Sequence, residues 1–276
     1  MRTWSFAKGH GTLNDFVILQ DRHALLSPSP DDVRFLCDRR RGVGGDGLLR
    51  VTKAEHFPEW EGEPSLWFMD YRNADGSIAE LCGNGARVFV RYLLEQNLAS
   101  GDRIAIATRA GLVSASVERD GRITVTLGRP RREDDSTTIH ASGRDWTAHH
   151  IDVGNPHAVV WLASESELGT LDLHHPPTFP PDRYPDGGNA EFVWSLDTGH
   201  IQLRVWERGV GETPSCGTGV VAAAFDHLSV AGRSTGAVRV TTPGGTLDVR
   251  IDADGLAHLA GPAIIVAHGA VNLPSD

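Results

Sequence analysis

Two stretches decide the reading of this chain: Leu81-Cys82-Gly83-Asn84-Gly85-Ala86-Arg87-Val88-Phe89 and Ser215-Cys216-Gly217-Thr218-Gly219-Val220-Val221-Ala222-Ala223. Each is a cysteine, a Gly-x-Gly turn and then an apolar run with helical potential. The pattern puts each thiol at the mouth of a helix, where unpaired N–H groups favour negative charge. A thiolate is stabilised in such a place, and a carboxylate can dock there. Two equivalent thiols suit a reaction that needs one base and one acid of the same kind.

The two cysteines lie 134 positions apart, and the same offset recurs. Asn73 falls on Glu207, Thr108 and Gly111 on Thr242 and Gly245, and Asp120-Gly121 on Asp254-Gly255. Val113, Ala115 and Val117 alternate as Leu247, Val249 and Ile251 do. An offset this long is no solenoid period and implies two similar lobes.

Between these anchors the chain reads as many short strands and few helices. Strands are expected over Asp15–Gln20, Leu48–Thr52, Ser65–Tyr71, Ile104–Ala107, Leu112–Glu118 and Arg122–Leu127, the last two joined by the hairpin signal Asp120-Gly121. Ser29–Arg40 suits a capped helix with Cys37 on its apolar side, which makes Cys37 a core residue. The second half repeats the plan over Ala158–Leu162, Glu191–Ser195, Ile201–Trp206, the Cys216 helix, Ala237–Thr241, Thr246–Ile251, Leu256–Ala260 and Ala263–Ala267. Pro130–Ser142 is polar and charged and is read as the connection between lobes. The proline-rich Leu173–Pro185 is read as a loop. The fold class expected is α+β. It has two pseudo-symmetric lobes, each a wrapped, mostly antiparallel, barrel-like sheet around a central helix that starts at a cysteine, with the active site in the cleft between them. The N-terminal lobe takes 1–128 and 263–276, and the C-terminal lobe 129–262.

Composition narrows the function. A chain of 276 residues with 40% hydrophobic and 22% charged side chains is ordinary for a globular protein. The net charge of −10 argues against a nucleic-acid or anionic-membrane partner. No run approaches the ~20 apolar residues of a membrane span, and Met1–His10 lacks a signal core, so a cytoplasmic location is expected. Three cysteines give no disulfide framework.

Thiols on opposite faces of one carbon would invert it. A thiolate removes the α-proton, a thiol delivers one to the other face, and the roles exchange in reverse. Ordinary cysteine ionises near pH 8.5, so modest tuning gives both forms near neutrality. Backbone N–H groups at Gly83-Asn84 and Gly217-Thr218 would meet the charge developing on the substrate carboxylate. Other readings fit less of the chain. A Cys–His hydrolase using His157 leaves the twin cysteine unused. Metal-ligand spacings are missing, and the adjacent pairs His149-His150 and His174-His175 read as solvated surface. Gly42–Gly47 lacks the Lys of a phosphate loop, and no dinucleotide fingerprint is found. A non-enzymatic amino-acid-binding module would not need a thiol at both turns.

From Phe6-Ala7-Lys8-Gly9-His10-Gly11 nearly to the C-terminus the residues resemble the diaminopimelate epimerases, a family of two-cysteine epimerases, and are most similar to its actinobacterial branch. The markers are Asn14-Asp15-Phe16, Tyr71-Arg72-Asn73-Ala74-Asp75-Gly76-Ser77, Cys82-Gly83-Asn84-Gly85-Ala86-Arg87, Gly154-Asn155-Pro156-His157, Glu207-Arg208-Gly209-Val210-Gly211-Glu212-Thr213 and Ser215-Cys216-Gly217-Thr218-Gly219. The resemblance implies interconversion of LL- and meso-diaminopimelate, a step of lysine and cell-wall precursor synthesis, with no cofactor and no metal. It implies that Cys82 donates and Cys216 accepts in the LL-to-meso direction. Asn14, Gly83, Asn84, Gly217 and Thr218 would hold the reacting end of the substrate. Asn73, Asn155, Asn189 and Arg208 would hold the distal end. Glu207 would bind the ammonium and, with His157, tune the thiols. Related racemases acting on histidine, proline or hydroxyproline are the alternative. One departure stands out: Gly47 follows Asp46 where many members carry Gln. The partner expected is a small diamino dicarboxylate, and a homodimer is expected on general base rates.

Overall fold

Thr108 and Thr242 close the same turn. Each hydroxyl donates to the carbonyl three residues on, Thr108 Oγ1 to Gly111 O at 2.8 Å and Thr242 Oγ1 to Gly245 O at 3.0 Å. Gly111 and Gly245 have φ of 103° and 131°, a region that favours glycine. The hairpins built on these turns are the seeds of two matching sheets. The computed structural model of the chain describes residues 2–274, which divide into two units at Val125/Thr126 and Ala260/Gly261.

The first unit contains β1 (Arg2–Gly11), β2 (Asn14–Gln20), α1 (Pro30–Cys37), β3 (Gly47–Lys53), β4 (Trp67–Asn73), α2 (Gly83–Glu95), β5 (Arg103–Thr108), β6 (Gly111–Val117) and β7 (Ile123–Thr126). The second contains β8 (Arg131–Ala141), β9 (Arg144–Asp152), β10 (Pro156–Trp161), α3 (Glu165–Thr170), β11 (Asn189–Asp197), β12 (His200–Glu207), β13 (Gly211–Thr213), α4 (Gly217–Val230), β14 (Gly236–Thr242), β15 (Gly245–Ile251) and β16 (Ala257–Gly261). The C-terminal strand β17 (Ile264–Leu273) returns to the first unit.

Pairing is the same in both. β1 runs antiparallel to β17 and β2, β2 parallel to β3, β3 antiparallel to β4, β4 parallel to β5, and β5 and β6 antiparallel to their successors. β9 runs antiparallel to β8 and β10, β10 parallel to β11, β11 antiparallel to β12, β12 parallel to β14, and β14 and β15 antiparallel to their successors. Parallel neighbours cannot be joined by a tight turn and need a crossover, usually a helix. The helices fall at these junctions: α1 after β2, α2 after β4, α3 after β10 and α4 after β12.

Each long helix is the centre of its own unit. α2 packs on β1 to β4 and β17, and buries Ala86, Val88, Phe89, Val90 and Leu93. α4 packs on β9 to β12, β14 and β15, and buries Val220, Val221, Ala222, Ala223, Ala224 and Leu228. A helix apolar on so many sides has to be enclosed. Each buried Val or Leu contributes about 1.5–3 kcal/mol relative to exposure, so enclosure fixes where the helix starts. The α+β class and the two-lobed plan expected from the sequence are therefore observed.

Some local expectations change. Pro130–Ser142 is not a bare connection, because Arg131–Ala141 forms β8, whose strand partner among the described residues is β9, with an isolated bridge from His140 to Thr178. A polar sequence is what a sheet edge tolerates. His149 and His150 are not a solvated pair. His150 is buried against the Tyr184 ring with centroids 4.9 Å apart, and His149 Nδ1 lies 2.7 Å from buried Asp226. β1, β9, β13 and α3 were not anticipated. The proline-rich stretch is tied into the core by Leu173, Phe179 and Tyr184 and by backbone bonds between Thr178 and His140.

Candidate active site

The first thiol stands at the head of α2. Cys82 is its N-cap in extended conformation, and its Sγ accepts the Gly85 N–H at 3.4 Å. Gly85 has little room for a side chain: a Cβ would lie 3.3 Å from Leu49 and 3.4 Å from Cys82 Cβ. No acid occupies the first turn of α2 or of α4, whereas α1 carries Asp31 and Asp32 there and α3 carries Glu165 and Glu167. The N-terminal charge of the two cysteine helices is thus left for an anion.

Asn14, Gly83 and Asn84 gather around Cys82. The thiol donates to Asn14 Oδ1 at 3.6 Å, and Asn84 Nδ2 donates to the same oxygen at 3.3 Å. Asn14 Nδ2 donates to Asp46 Oδ2 at 2.9 Å. A carboxylate only accepts, so this bond fixes the amide with its oxygen toward the thiol. Asp46 is held by Arg39 Nη2 at 2.8 Å, and Arg39 also grips Asp15 with both terminal nitrogens. Asp46 and Arg39 were not among the residues expected to matter. The Gly-rich loop, which matched no phosphate motif, carries the group that orients Asn14.

Asn73 ends β4 opposite Gly47 of β3, and its Nδ2 donates to Ser77 Oγ at 3.0 Å within its own turn. Gly47 explains the departure noted in the sequence. A Cβ there would lie 2.6 Å from Arg72 O and 2.7 Å from Tyr71 Cε2, so no side chain fits without a shift.

Behind Cys82 lies Arg87, fully buried on α2. Its donors reach Gly83 O at 3.5 Å, Thr12 Oγ1 at 3.3 Å and Pro262 O at 3.4 Å, and no carboxylate pairs with it among the described residues. Burial pulls the guanidinium down to about 10, and the charge of Cys82 works against that fall. A buried cation facing neutral acceptors is placed to offset the negative charge left on the Cys82 sulfur when the thiol gives up its proton.

The second thiol has opposite surroundings. Cys216 caps α4, is nearly fully buried, and lies 3.5 Å from Thr218 Oγ1. Burial pushes its thiol well up, and Glu207 and Glu191 push it further. Glu207 ends β12; burial raises its carboxyl too, while Thr213 Oγ1 and the Cys216 thiol donate to it and oppose that rise. His157 on β10 is fully buried, with Nδ1 2.7 Å from Glu191 Oε1 and Nε2 3.1 Å from Asn155 Oδ1. Asn155 Nδ2 donates to Thr218 Oγ1 at 3.4 Å. His157, Asn155, Glu207, Gly217 and Thr218 therefore gather at the start of α4.

Asn189 lies opposite His157 in the β10–β11 pairing, and Arg208 follows Glu207. Asn189 spends both amide atoms on backbone: Nδ2 donates to Pro156 O at 3.0 Å, and Oδ1 accepts the Arg208 N–H at 3.1 Å. It thereby sets the start of the Arg208 turn. The Arg208 guanidinium is exposed and reaches the carbonyls of Asp186 and Gly187 at 3.5 Å.

The sequence and the fold have relatives among known proteins. The sequence model of the family described as "Diaminopimelate epimerase" covers residues 6–133 and 149–273. The chain belongs to the diaminopimelate epimerase family. It is 45% identical over 274 residues to a diaminopimelate epimerase of Streptomyces coelicolor, covering 96% of this chain and 94% of that one. It is 45% identical over 277 residues to a diaminopimelate epimerase of Corynebacterium glutamicum strain R, covering 98% and 99%. A solved PhzF-family phenazine biosynthesis protein from Bacillus anthracis shares the fold at a TM-score of 0.73 and 17% identity, over 99% of this chain and 100% of that one. The family and its actinobacterial branch are those the sequence motifs resembled.

Glu191 is the functional candidate the sequence reading passed over. Its signal was there: an acid in the apolar strand Ala190-Glu191-Phe192-Val193.

Proposed function

We infer that the protein is a diaminopimelate epimerase, an isomerase that converts LL-diaminopimelate to meso-diaminopimelate for lysine and cell-wall precursor synthesis. The observation that carries this is the repeated cysteine-capped helix. It occurs once in each of two units with the same strand pairing, in a chain that belongs to the family.

The proposed chemistry uses the two thiols as a pair on opposite faces of one α-carbon. In the LL-to-meso direction the Cys216 thiolate takes the α-proton, and the electron pair left on carbon delocalises into the carboxylate. The Cys82 thiol then gives its proton to the other face, leaving a thiolate beside Arg87. The exchange is balanced: one S–H forms, one breaks and the product differs only in configuration. N–H groups of Gly83, Asn84, Gly217 and Thr218 receive the carboxylate charge as it grows. The Asn14 oxygen accepts from the substrate ammonium, because Asp46 turns the amide that way. Glu207 holds the same ammonium. Asn73, Asn155, Asn189 and Arg208 serve the distal amino-acid end, with Arg208 offering a fork to its carboxylate. We read the enzyme as cytoplasmic and as a homodimer; sedimentation of the purified protein tests the second point and cell fractionation the first.

The deciding experiment incubates the protein in deuterated water with LL-diaminopimelate, histidine, proline and hydroxyproline in parallel. Deuterium entering one α-carbon of diaminopimelate alone is expected. Exchange into another substrate instead, or into none, refutes the assignment.

A further inference from the structure

One buried acid is not used in the proton transfers above. Glu191 lies on β11 with no exposed surface, on a strand whose neighbours Ala190, Phe192 and Val193 are fully buried and apolar. A carboxylate in such a place costs several kcal/mol unless it is paired and hydrogen-bonded. Glu191 is only half compensated: Oε1 meets His157 Nδ1 at 2.7 Å, while Oε2 has no polar partner among the described residues.

Its position is specific. A Cβ at Gly219, in the first turn of α4, would come within 2.5 Å of Glu191 Oε1. The absence of a side chain at Gly219 lets the carboxylate sit directly against the helix start that Cys216 caps. From Glu191 a chain of contacts leads back to the sulfur: His157 Nδ1 at 2.7 Å, then His157 Nε2 to Asn155 Oδ1 at 3.1 Å, Asn155 Nδ2 to Thr218 Oγ1 at 3.4 Å, and Thr218 Oγ1 to Cys216 Sγ at 3.5 Å. Both ring nitrogens of His157 are thus held by side chains, Nδ1 by Glu191 and Nε2 by Asn155.

We propose that Glu191 is a positioning residue of the epimerisation: it locks His157, and through it Asn155 and Thr218, around Cys216, and its charge holds that thiol protonated until substrate arrives. This rests on the reading of Cys216 as an acid/base group. The charged and titratable groups around the thiol are Glu207 at the end of β12, Glu191 on β11 and His157 on β10. Tyr184 donates its hydroxyl to the His157 carbonyl at 3.4 Å. Glu207 and Glu191 both bring negative charge toward the thiol. The ammonium of an arriving amino acid cancels one carboxylate, and the thiol then releases its proton to water, leaving the thiolate that accepts the α-proton. The upward push of both carboxylates on the Cys216 thiol agrees with this. Glu191 thus links substrate binding to activation of the base.

The test reads ionisation directly and does not depend on turnover. In protein carrying Cys82→Ala, the rate of Cys216 alkylation by iodoacetamide is followed by peptide mass spectrometry across pH. Glu191→Gln removes the negative charge and should move the midpoint down by about one pH unit or more, and His157→Gln leaves the Glu191 carboxylate without its partner and should move it up. With both cysteines present, the pH profile of kcat/KM should shift in the same sense for each variant. A merely structural Glu191 would lower the melting temperature and leave the midpoint in place. An unmoved midpoint in the Glu191→Gln protein overturns the proposal. If that variant does not fold, an unmoved midpoint in the His157→Gln protein does so. Failure of the epimerase assignment would appear separately, as wild-type protein that exchanges no substrate deuterium while the alkylation midpoints still move.

Discussion

Replacing Asp46 by Asn should cripple Asn14 without touching it. The carboxylate accepts from Asn14 Nδ2 at 2.9 Å, from the Asp15 N–H at 3.1 Å and from Arg39 Nη2 at 2.8 Å. Asp46→Asn keeps the shape and removes the charge. Hydrogen bonds to a charged group contribute about 1.5–3 kcal/mol and neutral ones about 0.5–1.5, so the Asn14 anchor weakens by about 1–2 kcal/mol. The new amide can also offer its NH2, against which the Asn14 NH2 repels. Asn14 then turns over and presents a donor where the substrate ammonium needs an acceptor. At about 1.4 kcal/mol per tenfold, kcat/KM should fall roughly 5- to 30-fold. Because Asn14 Oδ1 also touches the Cys82 thiol, part of the loss belongs in kcat. The assay is deuterium wash-in to LL-diaminopimelate with Asn14→Ala measured beside it, and thermal melting confirms that both variants are folded. An Asp46→Asn protein within about twofold of wild type, beside a strongly impaired Asn14→Ala, would refute this role of Asp46.

Other outcomes follow from the same structure. Cys82→Ala and Cys216→Ala should each abolish epimerisation, scored by loss of meso product; full activity in either would end the two-thiol scheme. Cys37, whose thiol burial pushes up to about 12, should resist iodoacetamide at pH 8 in folded protein and react once denatured. Asp70 is fully buried among Arg109 at 2.8 Å, Arg72 at 3.3 Å and Arg50 at 3.4 Å. Burial opposes its ionisation, but the arginines outweigh burial and hold the carboxyl below its ordinary range. A depressed carboxyl contributes stability that is present above the unfolded pKa of about 3.9 and is lost as pH falls below it. Denaturant melts of Asp70→Asn should therefore show a flatter acid limb and a loss of about 3–5 kcal/mol at pH 7, the cost of breaking a buried charge cluster.

What was legible from the residues was whatever depended on local pattern. A cysteine before Gly-x-Gly and an apolar run dictates a helix start, and two copies at one offset dictate two lobes. Thr108/Thr242 and Asp120-Gly121/Asp254-Gly255 marked matching turns because hydroxyl-to-carbonyl bonds and left-handed glycines are made within a few residues. Ser29 likewise announced α1 by capping, with Asp32 closing the box. The strands that escaped notice, β8 and β9 among them, carry polar side chains. Their place in a sheet comes from partners distant in sequence and not from periodicity.

Charge was decided by tertiary structure alone. Arg87 and Glu191 read locally as one more arginine on a helix and one acid in a strand. Only the enclosure of α2 and α4 strips both of water and sets a cation beside one sulfur and an anion beside the other. Electrostatic energy depends on what surrounds a group in space, and sequence order does not specify those surroundings. The twin motifs are nearly identical in composition, and the fold gives them opposite environments.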